Sequence, residues 1–115
     1  MKSPKRILAL AVLSAACACA VSLPARADQC RLPPAPSKIP DGSTASQQEM
    51  VTAMETIKQY NGDVQTYLKC LDFEARQNQL SPGDQTNLHN AAVDQLTHVA
   101  DEFNQQVRTF KAKHG

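Results

Sequence analysis

Cys30 and Cys70 are the residues of this chain whose type and position best suit covalent chemistry. They stand 40 positions apart, so they lack the C-x-x-C spacing of a redox-active pair. In a small domain that reaches an oxidising compartment, the expected outcome is instead a structural disulfide. Closing a loop of this length stabilises a fold by about 4 kcal/mol in the chain-entropy model. We therefore predict that Cys30 and Cys70 are joined.

His98 is flanked by carboxylates at helical spacing. Asp94 precedes it by four positions and Glu102 follows it by four. Histidine and carboxylates together can coordinate a divalent cation. A solvated, charged helix face is the commoner meaning of this pattern. A metal site at Asp94, His98 and Glu102 is therefore the weaker of the two interpretations. We predict no metal and no cofactor.

No motif typical of a catalytic site occurs in the sequence. It has no nucleophile elbow, no glycine-rich phosphate loop and no H-E-x-x-H motif. Ser81, which precedes a proline, is better explained as a helix cap than as a nucleophile. We therefore predict that the protein is not an enzyme.

Tyr60 and Tyr67 stand one heptad apart, and Cys70 follows the second by three positions. A disulfide between Cys30 and Cys70 would bring the proline-rich arm, residues 28–43, to the side of the helix that carries these tyrosines. Prolines can stack on aromatic rings there. We predict that Tyr60 and Tyr67 form the docking site of this arm. The alternative is that both rings line the interface between two helices.

Residues 1–27 have the pattern of a secretory signal peptide. A positively charged start precedes an apolar run over 7–23, and Ala-Arg-Ala ending at Ala27 matches a signal-peptidase site. We predict cleavage after Ala27 and a periplasmic or secreted location. Retention as a membrane anchor and lipid attachment at Cys17 or Cys19 are alternatives. Neither cysteine has the Leu-like residue that lipoprotein signals place three positions earlier.

Charge and composition argue against a nucleic-acid partner. The leader holds four of the twelve basic residues and none of the eleven acidic ones, so residues 28–115 have a formal charge of −3. Such a chain has no dense basic patch to neutralise phosphates. It also contains no Trp, which makes a base-stacking platform improbable.

The segment 28–43 is rich in proline and reads C-R-L-P-P-A-P-S-K-I-P-D-G from Cys30 onward. Because prolines disfavour a helix and favour polyproline II, we predict that this segment is an extended arm. A helix is expected from Thr44 or Ser46 to about Gln79, opened by a capping box in which Ser46 pairs with Glu49. Its residues at alternating steps of four and three form a heptad seam with a single polar member: Met50, Met54, Ile57, Asn61, Val64, Leu68, Leu71 and Ala75.

Asn61-Gly62 is the weak point of this helix, because Gly costs about 1 kcal/mol relative to Ala inside a helix. The seam keeps the same phase on both sides of it, so we predict one continuous helix. Asn61 either fixes the register of the packing or lies at its flank in water. Met50 and Met54 are expected to fill the core, although flexible Met pairs also mark adaptable binding grooves.

A second helix is predicted to begin at Ser81-Pro82, with Ser as the N-cap and Pro at the first helical position. Its apolar stripe consists of Leu88, Ala92, Leu96, Val99, Phe103, Val107 and Phe110. The short link before it makes the two helices antiparallel neighbours. The predicted fold is therefore all-α, an antiparallel helical hairpin over 44–115 with an extended Pro-rich N-terminal arm stapled by one disulfide.

The arm sequence, the A-S-x-x-E-M run at 45–50 and the Y-N-G-D-V-Q-T-Y-L-K-C-L run at 60–71 resemble a family of small secreted helical proteins of proteobacteria. That resemblance covers most of the chain after the leader and implies export, but it carries no activity to transfer. We expect a non-enzymatic interaction or structural protein of the bacterial periplasm. The alternatives are a chaperone-like or stress-response binder of unfolded proteins and a weak divalent-metal binder.

The predicted partner is another protein whose identity the sequence does not specify. Val51, Phe73 and Val93 lie outside the two apolar stripes, and a hairpin with such residues can complete its core by pairing into a four-helix bundle. A docked arm can serve as the missing layer instead. Monomer and homodimer therefore both stay open.

Overall fold

A computed structural model describes residues 30–115, within which the chain forms two helices and no strand. Helix α1 spans Gln47–Arg76 and helix α2 spans Pro82–His114. Met50, near the start of α1, packs with Phe103 in the second half of α2, so the helices run antiparallel. The predicted all-α hairpin is confirmed. The predicted signal peptide, with Ala27, Cys17 and Cys19, lies outside the described residues.

Helix α1 begins as the capping box predicts. Ser46 is the N-cap; its hydroxyl accepts the backbone N–H of Glu49 at 3.2 Å, and the Glu49 carboxylate accepts the backbone N–H of Ser46 at 2.7 Å. These bonds satisfy donors that the first turn of a helix leaves unpaired. They also lower the pKa of the Glu49 carboxyl, the backbone donor of Ser46 contributing most.

The end of α1 corrects the prediction that this helix reaches Gln79. The helix stops at Arg76 because Asn78 adopts a left-handed conformation, with φ of 56°. The N–H of Asn78 donates to the carbonyl of Ala75, and the N–H of Gln79 donates to that of Glu74. This is a Schellman ending, for which Asn is the second choice after Gly.

Helix α1 continues through Asn61-Gly62 without a break, as predicted. Helix α2 begins at the predicted Ser-Pro start. Its N-cap Ser81 accepts the N–H of Asp84 at 3.1 Å, and Pro82 occupies the first helical position. Across the link, the Gln85 side-chain amide donates to Asp72 at 2.8 Å and ties the two helices together near their junction.

The core consists of two groups of buried side chains along the hairpin. The group nearer the link contains Tyr60, Val64, Tyr67, Leu71, Ala92 and Val99. The group nearer the open end contains Ala45, Met50 and Phe103. Ile39 of the arm packs against both groups, so the arm and the two helices share one continuous core.

Two residues that the periodicity assigned to the core are instead exposed. Met54 is 39% exposed and Leu88 is 40% exposed. A heptad pattern predicts which face of a helix is apolar, but it does not predict what covers that face at each level. Asn61 is also exposed, so of the two interpretations of this seam residue the flank position in water is correct.

Among residues 30–115, neither α1 nor α2 contains a stretch that is long and apolar enough to span a bilayer.

Candidate functional site

The disulfide between Cys30 and Cys70 is confirmed, with a Cα–Cα distance of 5.7 Å. It joins the beginning of the described arm to the seventh turn of α1. The backbone N–H of Cys30 also donates to Oε1 of Glu74, one turn further along the same helix, at 3.3 Å. The start of the arm is therefore held by one covalent bond and one charge-assisted hydrogen bond.

From the disulfide the arm runs back along α1 toward the open end of the hairpin. Its prolines lie along the helix, where Pro33 and Pro36 line a cleft of about 260 Å³ with Tyr60 and Asp63. A larger cleft of about 590 Å³ lies beside the disulfide, with Tyr67 in its wall. The apolar side chains of Ala35 and Ile39, also on the arm, pack against the core.

Tyr60 and Tyr67 are both buried in the core group against which Ala35 and Ile39 pack. They also line the two clefts that the arm prolines line. Burial raises the pKa of both phenols, and the negative charge of Glu74 raises that of Tyr67 further. The two rings thus lie together on the side of α1 along which the arm runs.

The hydroxyl of Tyr60 is the one buried side-chain polar atom without a hydrogen-bond partner among residues 30–115. The side chain is only 4% exposed. A buried polar group without a partner costs about 1–3 kcal/mol. The unpaired hydroxyl of Tyr60 therefore lowers the stability of the fold.

A turn at Asp41, Gly42 and Ser43 reverses the arm into α1. The Asp41 carboxylate accepts both the N–H and the hydroxyl of Ser43, at 2.8 Å and 2.6 Å, and these donors lower its pKa. The N–H of Gly42 donates to the side-chain carbonyl of Gln106 on α2 at 2.8 Å. The turn is thereby attached to the second helix.

Gly42 is required here by space, because it lies against the backbone of α2. A Cβ atom at this position would overlap the carbonyl oxygen of Gln106 and lie 2.9 Å from the nitrogen of Phe110. The sequence alone marked the Asp-Gly pair as a turn, but it carried no sign that the turn contacts the second helix.

A third cleft, of about 400 Å³, opens between the two helices, and no arm residue is among those that line it; we call it the interhelical cleft. Helix α1 contributes one wall and helix α2 the other. The lining residues are Met54, Ile57, Lys58, Asn61, Leu96, Thr97, Ala100, Asp101 and Phe103. Its lining therefore combines apolar side chains from both helices with one positive and one negative charge.

The metal ligands considered from the sequence do not come together. Asp94, His98 and Glu102 are all exposed, and they do not form a group of three ligand atoms within 4.8 Å. In the described part of the chain, the one such group is formed by Cys30, Cys70 and Glu74. Glu74 was not predicted to lie beside the cysteines, although its position four residues after Cys70 puts the two on one helix face.

Large apolar side chains are also exposed away from the clefts. Phe73 projects from α1 and Val93 from α2, and Leu32 is exposed on the arm. Of the three residues predicted to lie outside the stripes, Phe73 and Val93 are exposed and Val51 is half-buried.

Comparisons of the chain with protein-family models, with curated proteins and with solved structures gave no match.

Proposed function

We propose that this protein is an exported, non-enzymatic interaction module that binds a protein partner through the interhelical cleft. Export is supported by the signal-peptide pattern of residues 1–27 and by the disulfide, which persists in oxidising compartments. In a bacterium with two membranes, this location is the periplasm. The absence of catalytic motifs in the sequence supports a binding role rather than an enzymatic one.

The observation that carries the proposal is the asymmetry of the hairpin. The arm packs on one side of α1, whereas no arm residue lines the interhelical cleft, where Met54 is 39% exposed. A groove between two helices suits the apolar face of an amphipathic helix supplied by a partner. Methionine suits such a surface because its flexible side chain adapts to the bound shape.

The charges at the cleft add orientation to this binding. Lys58 lies on the wall from α1 and Asp101 on the wall from α2. A partner helix with an acidic residue on one flank and a basic residue on the other would pair with both. Charge complementarity of this kind selects the partner and its direction more than it adds affinity.

Site-specific photocrosslinking in the native cell envelope tests the proposal. A crosslinker at Met54 should capture a defined protein, whereas one at the neighbouring Glu55, which is exposed and does not line the cleft, should not. Met54→Glu should abolish capture from a crosslinker at Thr97, on the opposite wall. Equal capture from positions 54 and 55 would contradict the proposal. Capture of a second copy of this chain would replace the partner with a homodimer.

A chaperone-like binder of unfolded proteins is the second candidate, favoured by the exposure of Phe73 and Val93 outside any cleft described above. A holdase needs accessible apolar surface, so the folded protein should bind an environment-sensitive dye and suppress aggregation of a reduced client. Phe73→Ser should weaken both effects, with Thr66→Ser as the control. Unchanged client aggregation at equimolar protein would eliminate this candidate.

A further inference from the structure

The junction between the arm and α1 brings three metal-ligating side chains together. The sulfur atoms of Cys30 and Cys70 and a carboxylate oxygen of Glu74 lie within 4.8 Å of one another, and all three residues are half-buried. We propose that, when the disulfide is reduced, these three side chains bind one thiophilic divalent cation, zinc in particular. The cation then replaces the disulfide as the link between the arm and the helix.

The geometry of the junction suits this role. Cys70 and Glu74 stand four residues apart on α1, so their side chains leave the helix on one face. Cys30 lies on the arm, and its sulfur atom forms a triangle with the sulfur atom of Cys70 and a carboxylate oxygen of Glu74. Its backbone N–H, which donates to Oε1 of Glu74 at 3.3 Å, holds the carboxylate beside the two sulfur atoms. Such an orienting hydrogen bond to a ligand is a regular part of metal sites.

The distances also suit a tetrahedral cation. Two thiolates on one zinc ion lie about 3.8 Å apart, given a Zn–S bond of about 2.3 Å. Reduction breaks the bond between the two sulfur atoms, and with their Cα atoms 5.7 Å apart, rotation of the two side chains can open the sulfur atoms to that spacing. Water can supply the fourth ligand, because the 590 Å³ cleft is lined by both cysteines and opens to solvent.

The donor set selects the metal. Thiolates favour soft or borderline cations, whereas calcium and magnesium require oxygen ligands only. One carboxylate beside two thiolates therefore matches zinc and its spectroscopic substitute cobalt. Other charged groups line the same cleft, namely Arg31 and Asp63. Arg31 repels a cation bound in this cleft, and the carboxylate of Asp63 offsets part of that repulsion.

The chemistry balances with a thiol reductant. A dithiol transfers two electrons and two protons to the disulfide, which becomes two thiols while the dithiol becomes a disulfide. Zinc then binds the two thiolates, and the two thiol protons go to solvent. In the reverse direction, a disulfide oxidant accepts two electrons from the thiolates and two protons from solvent and becomes a dithiol, the Cys30–Cys70 bond forms again and the zinc ion is released.

Cobalt titration of the full chain tests this site. The chain is first reduced with a phosphine under anaerobic conditions, and the phosphine is removed. We expect one cobalt ion per chain, with thiolate-to-cobalt charge-transfer absorption that zinc abolishes. The oxidised chain should show none. Absence of the charge-transfer absorption in the reduced chain, or its presence in the oxidised chain, would overturn the proposal.

Two variants separate this site from nonspecific binding. Glu74→Gln should weaken cobalt binding at least about tenfold, the scale of changes to groups around a metal. Asp63→Asn, which removes a carboxylate from the same cleft wall, should change it far less. Equal weakening by both variants would show general electrostatic attraction instead of coordination by Glu74. Unchanged binding in Cys30→Ser/Cys70→Ser would show an adventitious site.

Reduction can loosen the arm and so separate Cys30 from the other two ligands. The thermal stability of the reduced chain, measured with and without zinc, tests the site in that case. Zinc should raise the thermal midpoint of the reduced wild-type chain, and this gain should be lost in Glu74→Gln. Circular dichroism shows whether the helices persist without metal. A zinc-dependent gain of the same size in Glu74→Gln would exclude its carboxylate from the site.

Discussion

Both sides of this hairpin carry large side chains of α1, but the arm covers those on one side only. On the arm side, Tyr60 and Tyr67 of α1 are buried together with Ala35 and Ile39 of the arm. On the other side, Met54 remains exposed at the edge of the interhelical cleft. Two helices alone cover only a narrow strip of each other. A third layer therefore decides which apolar residues become core and which stay available for binding.

That third layer is irregular, and separate anchors hold it at its two ends. The disulfide and the Glu74 hydrogen bond hold one end, and Gly42 against α2 holds the other. Four prolines between Cys30 and Gly42 limit the conformations open to the unfolded arm, which reduces the entropy lost on docking. The arm side should therefore respond strongly to mutation and the cleft side weakly.

Removal of the disulfide should have the largest effect. Cys30→Ser/Cys70→Ser is expected to lower the free energy of unfolding by about 4 kcal/mol, because the unfolded chain regains the freedom of a 40-residue loop. Urea denaturation followed by circular dichroism measures this loss. Wild type under reducing, metal-free conditions should match the variant. A loss below about 1 kcal/mol would mean that the arm is held mainly by its other contacts.

Leu71 and Phe73 provide a test at nearly the same level of α1. Leu71 is 2% exposed in the core, whereas Phe73 is 60% exposed on the outer surface. Leu71→Ala should destabilise by about 3 kcal/mol, and Phe73→Ala by no more than about 0.5 kcal/mol. Chemical denaturation of both variants checks the difference. Equal losses would indicate that Phe73 is covered in solution, as it would be in a homodimer.

Gly42 and Gly62 test how closely the arm approaches α2. Gly42→Ala should destabilise by about 2 kcal/mol, because the added Cβ forces the arm away from the backbone of Gln106 and Phe110. Gly62→Ala meets no atom within 4 Å and should stabilise α1 by about 1 kcal/mol. Thermal denaturation of both variants gives the two signs. A neutral Gly42→Ala would contradict the close contact.

The two tyrosines provide a smaller and purely local readout of the docked arm. They are the only tyrosines in the chain, so tyrosinate absorbance reports on them alone. Burial raises both pKa values above the ordinary value of about 10. The stability that accompanies this shift is present below about pH 10 and is lost as the pH rises through the folded-state values. Titration of the oxidised chain should therefore show late ionisation followed by unfolding.

Two controls make this titration specific for the arm. In Cys30→Ser/Cys70→Ser, the ionisation of both tyrosines should move back toward pH 10 as the arm loosens. Tyr60→Phe should leave stability unchanged or raise it by up to about 1 kcal/mol, because it removes a buried hydroxyl that has no partner. A clear destabilisation by Tyr60→Phe would show that a water molecule pairs with this hydroxyl.

Much of the fold could be predicted from local patterns. Ser46 with Glu49, and Ser81 with Pro82, marked both helix starts because capping depends on residues within three positions of each other. The end of α1 was predicted three residues too late. The periodic pattern says nothing of the left-handed conformation at Asn78, for which Asn is only an occasional choice.

The binding surfaces were less predictable. The role of Tyr60 and Tyr67 beside the arm was inferred through the disulfide, which converts a distant cysteine into a neighbour. Glu74 was not identified as a neighbour of Cys30, because nothing in the sequence shows which carboxylate a returning arm will meet. The convergence of Met54 with Leu96 and Ala100 at one cleft likewise depends on the register between the helices.

The sequence by itself determined the two helices, their starts, their apolar faces and the pair of cysteines available for a staple. Each of these depends on residues within a few turns, or on a residue type that occurs only twice among residues 28–115. Only the tertiary structure decided that Met54 and Leu88 stay exposed, that Gly42 contacts α2 and that Glu74 joins the cysteines. Those outcomes depend on how the arm, α1 and α2 pack together. Contacts between these three segments do not produce a periodic pattern in the sequence of any one segment.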